Sequence, residues 1–68
     1  MYIVDLDKIK QLREQRGLSI TDLSKQLGYQ TAHGYYYLEK GRNQISANKL
    51  AEIAEALGVE IMALYKEV

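Results

Sequence analysis

His33, Tyr36, Tyr37 and Lys40 recur at the spacing that gathers side chains on one face of a helix, and Arg42, Asn43 and Gln44 follow just beyond Gly41. Imidazole, phenol, amide and cationic groups in such a run can stack, donate and accept, which is the chemistry of binding. The parts of an enzyme are missing. The chain has no cysteine, one histidine, no clustered carboxylate pair and no phosphate-cradling glycine loop. A lone histidine also leaves nothing to build a metal site around. No catalytic activity, metal, cofactor or small-molecule ligand is therefore expected. Exposed aromatic side chains also mark protein interfaces, so Tyr36 and Tyr37 by themselves admit a protein partner.

Charge narrows the choice of partner. Nine basic residues balance nine acidic ones, yet eight basic against five acidic residues precede position 50, and four acidic against one basic follow. Such polarity can orient a molecule on a polyanion, and it can equally arise as scatter over a small surface. No run of apolar residues approaches membrane-spanning length, and Asp5 and Asp7 interrupt the one apolar stretch near the start that could resemble a signal. A chain without cysteine suits a reducing compartment, and a cytoplasmic location is expected.

Those side chains need a scaffold, and 68 residues allow one domain, expected over 1–68. Without disulfides or zinc, its stability rests on packed helices. The first helix is predicted to start at Asp5 as N-cap, with Val4 stapled to Ile9 and Asp7 a rival cap with a weaker staple, and to end near Arg16 with Gly17 beyond it. Ser19 with Asp22 three residues on opens a second helix that Gly28 stops. A third runs from Thr31 as cap to Lys40, and Gly41 closes it. Its phase turns Tyr35 and Leu38 inward and displays Tyr36 and Tyr37. Ser46 caps a fourth helix in which Leu50, Ile53, Ala54 and Leu57 keep amphipathic spacing, and a short fifth is predicted from about Glu60. Two short helices joined by a tight turn in an all-α five-helix bundle suggest a helix-turn-helix.

The stretches KIKQLREQRGLS (8–19), DLSKQLGY (22–29), YYYLEKGRN (35–43) and SANKLAEIAEALGV (46–59) resemble the lambda-repressor-like Cro/XRE family of helix-turn-helix domains, of the kind found in phage and mobile-element regulators. Two features depart from it. Gly28 and Glu39 are one residue further apart than usual, an extra turn residue near Tyr29 and Gln30. Ile20 stands where the family commonly has a phosphate-contacting glutamine, so it covers the core or faces a partner.

The resemblance implies a regulator, expected to be a repressor, that binds an inverted repeat in double-stranded DNA as a homodimer with its third helix in the major groove. Ala32, His33 and Tyr37 then match base-reading positions, with Tyr36 beside them. Histidine can donate to guanine or phosphate, and alanine or a tyrosine ring can lie on a thymine methyl, so a site of A·T character is expected. Thr21, Lys25, Thr31, Lys40, Arg42, Asn43, Gln44 and Ser46 are candidate phosphate contacts. The amides opening the second and fourth helices add two anion-binding points. Glu39 is expected to pair with Arg13 and tie the reading helix to the bundle. Val59, Ile61, Met62 and Tyr65, with Tyr2 and Ile3, are the candidate dimer interface or else cover for the core. Gly34, inside a helix, implies backbone crowding near Ser24 or room for DNA. The rival reading is a protein-interaction module on the same fold, an antitoxin, anti-repressor or adaptor that uses the tyrosine face.

Overall fold

The computed structural model describes residues 1–68, and most of them are helical. In chain order the elements are β1 (Tyr2–Val4), α1 (Leu6–Gln15), α2 (Ile20–Gln26), α3 (Ala32–Glu39), α4 (Ala47–Leu57), a 3₁₀ turn (Ile61–Leu64) and β2 (Tyr65–Glu67). Side-chain caps start three of the helices. The Asp5 carboxylate accepts from the Lys8 N–H, the Ser46 hydroxyl accepts from the Lys49 N–H, and Ser19 and Asp22 form a reciprocal capping box. Each cap satisfies an amide that the first turn leaves without a partner. Thr31 precedes α3 in extended geometry and makes no capping bond through its side chain. Gly58 ends α4 in the left-handed region that favours glycine.

The expected fifth α-helix is not formed. Only one 3₁₀ turn follows Gly58, enough to seat Leu64 in the core, after which the chain extends into β2. β2 pairs antiparallel with β1, Tyr2 opposite Glu67, Ile3 opposite Lys66 and Val4 opposite Tyr65. Main-chain bonds from Asp5 N–H to Leu64 C=O (2.7 Å) and from Val68 N–H to Met1 C=O (2.8 Å) close the ladder at both ends. The physical reason is satisfaction of backbone polar groups. Tyr2, Ile3 and Val4 are residue types that suit an extended chain, and the strand they form offers amides and carbonyls that Tyr65–Glu67 can meet. A further helical turn would leave them unpaired. Tyr65, placed in a helix by the sequence, therefore lies in a strand.

One core unites these elements. Ile9 and Leu12 of α1, Leu23 and Leu27 at α2, Tyr35 and Leu38 of α3, four residues of α4 and Leu64 form a continuous buried cluster. Val4, Leu6, Leu18, Ile20, Val59, Ile61 and Tyr65 are half-buried around it. No helix is long and apolar enough to cross a membrane.

Candidate nucleic-acid interface

Because Tyr35 and Leu38 are drawn into the core, α3 is held in one rotational setting. The neighbouring positions must then point away from it. Tyr36 and His33 are exposed and Tyr37 is half-buried beside them. The three rings form one layer: His33 stacks on Tyr37 with centroids 6.3 Å apart, and Tyr36 meets Tyr37 edge-on at 5.7 Å. Two cations lie against that layer. The Lys40 ammonium is 5.5 Å from the Tyr36 ring and the Arg42 guanidinium is 5.7 Å from the Tyr37 ring. Such contacts hold long side chains near the rings at little energetic cost and leave their charge available to an anion. Arg42 and Asn43 are brought back to α3 by their N–H groups, which both donate to the Tyr37 carbonyl.

The other candidate residues are more dispersed. Ala32 is half-buried, and its carbonyl accepts from the Ser24 hydroxyl at 3.4 Å. Thr21, Lys25, Thr31, Asn43, Gln44 and Ser46 are exposed. At the start of α2 the Asp22 carboxylate accepts from the Ser19 N–H at 2.9 Å, and these bonds from Ser19 hold its pKa below the usual carboxylate value. That fixed negative charge opposes a phosphate at this helix end, whereas α4 has no acidic residue in its first turn. Ile20 packs against the core.

Under α3 lies an ion pair. Arg13 donates through Nε and Nη2 to the two Glu39 carboxylate oxygens at 3.0 and 2.9 Å, and through Nη1 to the Leu18 carbonyl at 2.8 Å. Both side chains are almost fully buried. Burial works to raise the Glu39 pKa, but the hydrogen bonds and charge of Arg13 outweigh it and the carboxyl lies below its ordinary value. The same hydrogen bonding from Glu39 pushes the Arg13 guanidinium further up. The buried Tyr35 hydroxyl beside this pair has no hydrogen bond of good geometry, and desolvation drives its pKa upward.

Val59, Ile61 and Tyr65 are half-buried on the core, while Met62 is 60% exposed. Of the other large apolar residues left exposed, Met1, Tyr2, Ile3 and Val68 belong to the terminal sheet and its ends, and only Tyr36 lies elsewhere. Sequence reasoning missed Tyr29 and Lys49. The Lys49 ammonium sits 4.9 Å from the Tyr29 ring centroid and donates to the Leu27 carbonyl at 3.2 Å. The sequence signal for Tyr29 was the one-residue excess in the turn between α2 and α3.

A family model described as helix-turn-helix matches residues 9–64, which include α2, α3 and the turn between them. No curated protein and no solved structure matches the chain.

Proposed function

The chain belongs to the Cro/XRE-type helix-turn-helix family, a family of DNA-binding regulators rather than of enzymes, and from that premise we propose that it represses transcription as a homodimer on an inverted-repeat operator. The observation that carries this reading is the layer of His33, Tyr36 and Tyr37 on the outward face of α3, with Lys40 and Arg42 against it. In this reading α3 enters the major groove. His33 and Tyr37 meet base edges and thymine methyls, Ala32 lies close to a methyl, and Tyr36 reaches the groove wall. Lys40, Arg42, Asn43, Gln44 and Ser46 meet the flanking phosphates, with Lys25 and Thr31 on the α2 side.

Size and surface support the proposed dimer. One copy measures 33 × 23 × 18 Å and presents one reading helix, so two major grooves about 34 Å apart require two copies. Exposed Met62, Tyr2 and Ile3 supply apolar surface for that contact, continued by the half-buried Val59, Ile61 and Tyr65.

Titration of a mixed-sequence duplex at two salt concentrations tests the electrostatic part. Affinity falls as salt rises, and Arg42→Ala weakens binding to every duplex while shallowing the log–log salt slope by about 0.9. Salt-independent or absent binding contradicts the reading and redirects attention to a protein partner for the tyrosine face.

A further inference from the structure

Tyr29 occupies the turn between α2 and α3, and its ring lies against Gly34 in the first turn of α3. A β-carbon built at Gly34 falls 2.5, 2.8 and 3.1 Å from Tyr29 Cδ1, Cε1 and Cγ. Those are carbons of one rigid ring, so the ring as a whole or α3 must shift to relieve the contact. Gly34 thus has an α-helical place that alanine fills better in isolation, and the Tyr29 ring stands where its side chain would go. The tightest crowding comes from Tyr29.

The ring is held from two further directions. Tyr29 N–H donates to the Ser24 carbonyl at 3.0 Å, which ties its backbone to the end of α2. Lys49 of α4 places its ammonium 4.9 Å from the ring centroid, and that ammonium is itself fixed by the Leu27 carbonyl and by Glu52, both at 3.2 Å. One side chain therefore touches α3 while being anchored to α2 and α4.

We infer that Tyr29 is a positioning residue that sets the distance and tilt of the α3 N-terminal turns, and so the reach of Ala32, His33 and Tyr37 toward DNA. This rests on the DNA-reading role of α3 argued above. Restoring ordinary contact around a methyl at position 34 moves ring or helix by about 1 Å, which is more than a base-edge hydrogen bond tolerates.

The test pairs a folding readout with a recognition readout. Thermal midpoints are measured for wild type, Gly34→Ala, Tyr29→Ala and the double variant, with Tyr29→Leu replacing Tyr29→Ala if the latter does not fold. Gly34→Ala is expected to lower the midpoint beside Tyr29 and to raise it once the ring is gone. Selectivity is then measured as the affinity ratio for a duplex enriched from a random library against a scrambled duplex, at a temperature where every variant is folded. The ratio falls about tenfold in Gly34→Ala and in Tyr29→Ala, and Tyr29→Phe keeps the wild-type value because the contacts are ring carbons. A midpoint change of the same sign in both backgrounds overturns the contact. A reversed sign with unchanged selectivity overturns the positioning role and leaves packing only. Lack of selectivity in the wild type itself removes the premise, and it is recognised before any variant is compared.

Discussion

Glu39 is the residue at which burial and charge are most directly opposed. Its carboxylate is nearly inaccessible, and Arg13 meets both oxygens. A buried pair of this kind adds little net stability compared with apolar residues, but removal of one partner strands the other and costs about 3–5 kcal/mol. For a chain of this size total stability is on the order of 3–10 kcal/mol. Glu39→Ala is therefore expected to unfold the protein or to leave it marginal, as read by circular dichroism. The pH dependence has a definite sign. Because the folded pKa of Glu39 is depressed, the unfolded chain binds its proton first as pH falls, so the stabilisation is complete above the ordinary carboxylate range and is lost below it. Acid titration should lower the thermal midpoint progressively below about pH 4.5. Glu39→Gln, if folded, should show a shallower decline, and an identical decline would remove Glu39 as its source. Tyr35, adjoining the same pair, shows why three consecutive tyrosines differ: one anchors the helix and two remain at its surface.

At the scale of elements, the helices were legible because their signals are local. Asp5, Ser19 and Ser46 sit where a short polar side chain reaches an amide three residues on, and all three make that bond. Replacing Ser46 or Ser19 with alanine should cost about 1 kcal/mol each in urea unfolding. Losses below a few tenths would show the caps to be frayed in solution. The terminal sheet was not legible for the opposite reason. Pairing Tyr2 with Glu67 joins residues at opposite ends of the chain, and a three-residue strand has too few positions to display alternation. Leu64, Tyr65 and Ile61 have helix-like spacing, but the open amides of β1 decide the outcome. Of the candidate site, the phase of α3 could be read from Leu38 and Tyr35, whereas the Tyr29–Gly34 contact depends on α2, α3 and α4 meeting and leaves as its traces a glycine inside a helix and one extra residue in the turn.

For the whole molecule, a formal charge of zero divides unevenly along the chain, with eight basic against five acidic residues before position 50 and one basic against four acidic residues after it. In the proposed reading, that unevenness helps to turn the basic residues toward the phosphates. The proposed dimer has its own test. Met62→Asp should leave the fold intact, since the side chain is largely exposed, yet weaken self-association in sedimentation and lower operator affinity at least about tenfold. Unchanged association would move the interface away from the 3₁₀ turn and the terminal sheet.

If the outward face of α3 reads sequence, selection from a random duplex library with wild type and Tyr37→Ala in parallel will separate the two proteins. Wild type is expected to enrich an inverted repeat with half-site centres about 10 base pairs apart, and Tyr37→Ala, still folded, to shift or relax the preference within each half-site. The same preference in both proteins, or no enrichment by wild type, would contradict that role of α3.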